Sequence, residues 1–247
     1  VGVEEVLCPP DDPLPKQTSG IVDLQNSPAS RLLSARIKGP VRRVARHGLR
    51  RRIRVWFKTG APPPKVVKRY SEAARAPISP RPWVLSEGPR DTLIICPTAQ
   101  HATKVWPAEK YVRLAAHWDG PVLLLGGPGD KRLFRRMVDG IGPKCDSIAE
   151  DGFNRTLQAL GRGKVAVGGD SGLLHLCAAA EIPVVGIFGP TRSDDGFWCH
   201  RGVPVETDLP CRPCSRFGSG SCPIGDHLCM SSIEVGEVAR AVHLLSL

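Results

Sequence analysis

Between residues 168 and 180 the sequence reads GGDSGLLHLCAAA. Two glycines, an acid, a serine and a third glycine stand directly ahead of an apolar segment that carries one histidine. Glycines let the backbone approach a ligand closely. Asp170 or Ser171 can cap the helix that follows, and the free N–H groups of its first turn, Gly172 among them, form an anion site with the helix dipole. His175 falls about one turn into that helix, on a side that still reaches the mouth of the turn. A second Gly-turn-hydroxyl cluster, FGPT (188–191), ends in Thr191. Two such loops facing each other can hold a diphosphate. A plainer reading stays open, because Gly-rich strand-to-helix turns recur in α/β proteins and a histidine on an apolar helix is often only core. The strand carries no G-x-G-x-x-G and the chain no G-x-x-x-x-G-K-[ST], so neither a simple dinucleotide fold nor a P-loop is indicated.

A third stretch, CPTAQHATKVWPAEKY (96–111), has the same strand-loop-helix layout. Its loop offers Thr98, His101, Thr103 and Lys104. A lysine there is a compact positive charge suited to phosphate oxygens, although the usual fate of a loop lysine is solvation. Breaking a sugar–diphosphate bond leaves charge on the diphosphate. A helix N-terminus, Lys104 and a donor His175 can stabilise that charge without a metal. The aspartate pairs that a metal would want, Asp11–Asp12 and Asp194–Asp195, do not stand at a strand end as GGDSG does.

These stretches need a scaffold, and the surrounding pattern supplies one. Strands are predicted at 20–25, 41–46, 92–97, 121–127, 164–170 and 183–191. Helices are predicted at 27–37, 65–75, 107–118, 130–140, 156–163, 171–181 and 233–245. Ser27 is the expected N-cap and Pro28 the first helical residue of its helix. ISPRPWVLSEGPR (78–90) is rich in Pro and Gly and reads as a linker. Four strands after it alternate with helices, the content of a Rossmann-like domain. The expected organisation is a partial acceptor-side domain over 1–77, the linker at 78–90, a donor-binding domain over 91–230 and a C-terminal helix over 231–247.

A net charge of +10 suggests an anionic partner, yet it is local. Residues 31–71 hold 14 Lys and Arg and no Asp or Glu, whereas the other 206 residues hold 20 basic and 24 acidic side chains. A cationic face of this kind suits nucleic acid, an anionic membrane surface or a phosphorylated acceptor, or is simply a solvated edge. Nine cysteines, an odd number, with Cys96 and Cys177 in apolar contexts, favour a reducing compartment. No apolar run approaches the length needed to span a bilayer, about 18–20 residues, and no secretory signal pattern is read. Cytoplasmic placement is therefore expected.

KVWP ahead of a helix, GGDSGLLHLCAAAEIPVVGIFGPT and the tail CRPCSRFGSGSCPIGDHLCMSSIEVGEV together resemble glycosyltransferase family 9, the ADP-heptose:lipopolysaccharide heptosyltransferases. The resemblance runs over roughly residues 20–247. It implies an α/β fold of GT-B type, with two Rossmann-like domains, the first incomplete here. It also implies an ADP-sugar donor, a lipid-linked saccharide acceptor of the lipopolysaccharide core, peripheral contact with the inner membrane and no cofactor. By the same resemblance Lys104 matches the lysine at the donor phosphates. Asp170, Ser171, Gly172 and His175 match the D-[ST]-G-x-x-H cluster at the diphosphate and sugar, with Thr103 and Thr191 nearby. Lys104 and His175 are then the leaving-group stabilisers. The family's opening Gly-Asp turn, which carries its presumed general base, has no counterpart read before residue 20. Asp23 is the nearest carboxylate, and a capping role suits it better.

Two other readings compete. One is a degenerate module that holds a nucleotide-sugar without turning it over. The other is a basic nucleic-acid binder with zinc on Cys211, Cys214, Cys222 and Cys229, although the basic stretch matches no known nucleic-acid module.

Overall fold

The computed structural model describes residues 13–77, 89–149, 152–195 and 202–247. These divide into two compact units, one formed by residues 13–48 and 64–77, the other by residues 49–63 and 89–247. Residues 78–88, most of the expected linker, lie outside the described residues.

In the first unit β1 (Ile21–Asp23) pairs in parallel with β2 (Val41–Arg43). Helix α1 (Pro28–Ala35) connects them and begins as expected. Ser27 is its N-cap, accepting from the Ser30 amide, while the Ser30 hydroxyl accepts from the Ser27 amide. Helix α2 (Gly48–Phe57) follows, its residues from Leu49 onward belonging to the second unit, and α3 (Val66–Ala74) returns to the first. Asp23 is buried at the end of β1. It accepts hydrogen bonds from the amides of Gln25 and Asn26 and from the Ser30 hydroxyl. Burial works against its charge, but the Asn26 amide, Ser30, the Gln25 amide and Arg43 together hold its carboxyl below the usual range. Its oxygens therefore shape the turn into α1. Asp23→Ala is expected to lower the stability of this unit by about 1–3 kcal/mol, the cost of orphaned partners, and to leave donor binding alone. A urea titration followed by circular dichroism, alongside ligand calorimetry, checks both halves.

The second unit is a six-stranded, wholly parallel sheet. Its strands are β3 (Thr92–Cys96), β4 (Val122–Leu125), β5 (Cys145–Ile148), β6 (Gly163–Gly169), β7 (Val184–Phe188) and β8 (Gly202–Glu206), in the spatial order β5-β4-β3-β6-β7-β8. The chain starts in the middle, runs to one edge, returns beside its first strand and runs to the other. This is the doubly wound order, with its reversal between β3 and β6. The central strands are mostly apolar, Thr92 and Lys164 standing near the starts of β3 and β6, as strands covered on both faces are expected to be. Leu93 and Ile95 point into one core, with α4 (Ala108–Ala115), α5 (Lys131–Ile141) and α9 (Val235–Ser246). Ile94 and Cys96 point into the other, with α6 (Gly152–Leu160) and α7 (Gly172–Ala179). A single turn, α8 (Leu228–Ser231), precedes α9.

Two strands, β5 and β8, go beyond the four expected after the linker. The expected helix at 156–163 lies earlier, at Gly152–Leu160, and the basic stretch after β2 is a helix.

Candidate functional site

Ligands of open parallel sheets bind beyond the carboxyl ends of the strands, at the point where strand order reverses. Here that point lies between β3 and β6, and the two motifs singled out in the sequence follow those two strands. The loop after β3 carries Lys104 and the turn after β6 carries Asp170. Lys104 Nζ lies 2.6 Å from Asp170 Oδ2 and 3.1 Å from the Asp170 carbonyl oxygen. On the other side His175 Nε2 lies 3.2 Å from Asp170 Oδ1. The carboxylate thus sits between the lysine and the histidine and fixes where both point.

Local sequence explains the geometry. Gly168 and Gly169 close β6 where neighbouring backbone leaves no room for side chains. A Cβ on Gly168 would meet the Cys96 carbonyl oxygen at 2.6 Å, and one on Gly169 would collide with the Lys104 carbonyl. The loop that delivers Lys104 therefore lies directly on the end of β6. Ser171 is the N-cap of α7 in extended backbone, its hydroxyl accepting from the Leu174 amide. The earlier amides of Gly172 and Leu173, like those of any first turn, have no acceptor within the helix. His175 is one turn further on and half-exposed.

The Asp170 side chain is only 9% exposed, and desolvation alone would raise its pKa. The hydrogen bond from His175 and the charge and hydrogen bond of Lys104 outweigh that and push it down to about 2. The sign for stability follows. The folded state favours the ionised form, so the contribution is complete above the unfolded value near 4 and is lost as pH falls toward 2. It is on the order of 2 kcal/mol. The stability gap between wild type and Asp170→Asn is expected to narrow by that amount as pH falls from about 5 to about 2. Chemical denaturation at the two ends measures it, and an unchanged gap would rule out a role for the ionised carboxylate in stability.

A pocket of about 460 Å³ opens over this group, lined by Gln100, His101, Lys104, Asp170, Ser171, Gly172, His175, Arg216 and Phe217. Arg216 and Phe217 were not anticipated. The Arg216 guanidinium lies 5.5 Å from the Phe217 ring centre, so the pocket has a second cation and an aromatic wall. Both come from the cysteine-flanked loop, and Thr103 ties that loop down. Its hydroxyl donates to the Ser219 carbonyl at 2.8 Å and accepts from the Ser219 amide at 2.9 Å, while its own carbonyl accepts from His227. The only sequence signal for this closure was the turn-rich run SRFGSG, which says nothing about where the loop lands.

The structure therefore brings together Lys104, Asp170, Ser171, Gly172 and His175. It spends Thr103 on the loop and Thr98 on Asp130, at 2.9 Å. Thr191 is buried, its carbonyl accepting from Arg212 at 2.9 Å, and it does not line the pocket. Asp194 and Asp195 face Arg54 of α2, at 2.6 Å and 2.8 Å. Cys211, Cys214, Cys222 and Cys229 are free thiols. Among the described residues no three His, Cys, Asp or Glu side chains are placed to hold a metal ion. Another cavity, of about 420 Å³, opens at the opposite, amino-terminal ends of β3, β4 and β5, beside Thr92, Val122 and Cys145, and contains none of the motif residues.

Comparison with known proteins gives concordant matches. The model of Glycosyltransferase family 9 (heptosyltransferase) matches residues 65–218. A lipooligosaccharide heptosyltransferase 2 of Campylobacter jejuni is 33% identical over 79 residues, which is 31% of this chain and 24% of the relative. The chain thus matches about a quarter of that curated relative's length. Among solved structures, the E. coli ADP-heptose lipopolysaccharide heptosyltransferase II superposes with a TM-score of 0.57 at 21% identity, over 75% of this chain and 62% of that one. The E. coli heptosyltransferase WaaC, solved with ADP, superposes with a TM-score of 0.65 at 14% identity, over 93% and 73%. At such identities these two likenesses speak to the fold.

Proposed function

The chain belongs to glycosyltransferase family 9, the heptosyltransferase family, and from that premise we propose that it takes part in moving heptose from ADP-heptose to a lipid-linked acceptor of the lipopolysaccharide-core type, with no metal at the leaving group. The observation that carries this reading is the convergence of Lys104 and His175 on Asp170 beneath a pocket at the strand-order reversal.

In the transfer, the acceptor hydroxyl releases its proton to water as its oxygen forms a bond to the anomeric carbon, the bond from that carbon to the diphosphate oxygen breaks, and the electron pair leaves with ADP. Negative charge grows on the departing diphosphate. Lys104, Arg216 and the first-turn amides of α7 are the donors on hand to meet it, Lys104 and the amides already held in place before the reaction. Asp170 has one oxygen committed to Lys104 and the other to His175, which suits a positioning residue. We assign no residue of this pocket to deprotonating the acceptor.

Calorimetric titration with ADP and with ADP-heptose tests the reading. Wild type is expected to bind both, and Lys104→Ala and His175→Ala to bind ten- to a hundredfold more weakly, on the order of a charge-assisted hydrogen bond lost. Absence of binding to wild type, or unchanged binding in both variants, overturns it. Tight donor binding without transfer to a heptose-free core lipid would instead identify a binding module.

A further inference from the structure

The cavity of about 420 Å³ is a groove between α6 and the sheet, at the end away from Lys104 and Asp170. The sequences of β5 and α6 leave it open. In register, Leu123 of β4 stands beside Asp146 of β5, and Leu125 beside Ile148. Ile148 continues the apolar face of the sheet. Asp146 interrupts it, exposed and with Oδ1 accepting from the Ser147 amide at 2.7 Å. Helix α6 does not fill the gap. It buries Thr156 and Leu160, whereas Arg155, Gln158, Ala159 and Arg162 line the groove. These four are spaced i, i+3, i+4 and i+7, one side of a helical path, the last of them two residues beyond α6. Leu123 keeps 7% exposure and Ile148 5%, while Leu124 and Leu125 are fully buried. The floor is thus apolar, and one wall is polar and cationic. Arg155, Gln158 and Arg162 are exposed. The ammonium of Lys144, at the rim, is committed to the carbonyls of Ala115 and Trp118.

We propose that this groove is a second ligand site, which takes a small organic anion with an apolar body. Its volume is that of a small-molecule pocket, and so is its make-up, apolar side chains for area and a few polar groups for orientation. Charge sets the sign of the ligand. Arg155 and Arg162 bring two positive charges against the single negative charge of Asp146. Guanidinium groups match the paired oxygens of an organic acid or phosphate, and the Gln158 amide stands between the two along the helix. The apolar body rests on Leu123, Ile148 and Ala159. The site is separate from the donor pocket, with which it shares no lining residue. Thr92 borders the groove at the start of β3, and the loop that carries Lys104 leaves that strand after Cys96, about 13 Å further along. The groove can therefore prove empty of function while donor binding stands, and the reverse.

The test uses anilinonaphthalene sulfonate, an aromatic body with one anionic group, titrated by fluorescence into the folded full chain. Wild type is expected to show one saturable site, retained in saturating ADP. Uncharged phenylnaphthylamine, with the same rings and no sulfonate, should bind about tenfold more weakly or worse. Arg155→Glu with Arg162→Glu should weaken sulfonate binding about tenfold or more. Asp146→Asn should tighten it by a few fold, as loss of an exposed like charge does. All three side chains are exposed, so melting temperatures without the probe should barely move. If the arginine variant folds poorly, Asp146→Asn and the uncharged probe decide on their own. No saturable binding, or equal binding of the uncharged probe, overturns the proposal. So does displacement by ADP, which puts the anion in the donor pocket. Wild-type affinity in both Asp146→Asn and the arginine variant overturns it too, since the probe then sits elsewhere.

Discussion

Replacing Lys104 by alanine is expected to lower the turnover of the proposed heptose transfer a hundred- to a thousandfold, about 3–4 kcal/mol of transition-state stabilisation. The figure follows from where the ammonium sits. It is 12% exposed, 2.6 Å from an ionised carboxylate, at the edge of a pocket that also holds Arg216. A cation fixed before reaction loses nothing to reorganisation when charge develops on the diphosphate. Because that charge grows mostly in the transition state, kcat should fall more than KM rises. Asp170→Asn probes the same effect indirectly, since it leaves the lysine in place but removes what aims it. Its loss should be smaller than that of Lys104→Ala, and the double variant should be little worse than Lys104→Ala alone, since residues acting as one unit are not additive. Steady-state kinetics on the four proteins decides. Fully additive losses, or a Lys104→Ala enzyme with wild-type kcat, would remove the ion pair from the chemistry.

Much of the second unit was legible because its signals are local. β3, β4, β6 and β7 are apolar runs bounded by Gly, Pro or Asp, and their helices carry a cap or a proline at the start. From these, a parallel sheet and two strand-end loops follow. The pairing of Lys104 with Asp170 also follows in outline, since both stand at the ends of strands that the doubly wound order makes neighbours. The edge strands were harder. β5, with the sequence CDSI, is half polar, and β8, with GVPVE, contains a proline. Edge positions tolerate both, because one side of the strand has no partner to satisfy.

The rest fails to show in the sequence for reasons of direction rather than composition. An arginine run looks like a solvated face. In α2 two of its arginines turn inward because Asp194 and Asp195, some 140 residues away in the chain, wait there. Thr103 and Thr191 were plausible ligands as hydroxyls near the right loops, but sequence does not say which way a hydroxyl points. Thr103 turned out to hold the loop that delivers Arg216 and Phe217. Tertiary closure over more than a hundred residues leaves no periodic trace, and it placed two of the pocket's nine lining residues, Arg216 and Phe217.

Trp106→Ala is expected to be the most destabilising of these substitutions, about 3–5 kcal/mol, and to disable the site as a consequence. Trp106 is fully buried two residues after Lys104. Its indole donates to the Ile233 carbonyl at 3.2 Å, and its ring meets Tyr111 edge-on at 4.8 Å between centres. It thereby fastens the start of α4 to the segment before α9, and Lys110 adds bonds to the carbonyls of Ser231 and Ile233. Truncation opens a cavity, leaves Lys110 as the remaining donor to the Ile233 carbonyl and frees the loop that places Lys104 on Asp170. Trp106→Phe separates these effects. It keeps most of the bulk and loses the hydrogen bond, so it should cost about 1–3 kcal/mol and leave ADP binding within a few fold of wild type. Urea denaturation and calorimetry on the two variants test the chain of cause. If Trp106→Ala is as stable as wild type, the loop is held by something else. If it is destabilised yet binds ADP normally at low temperature, the lysine's position does not depend on this anchor.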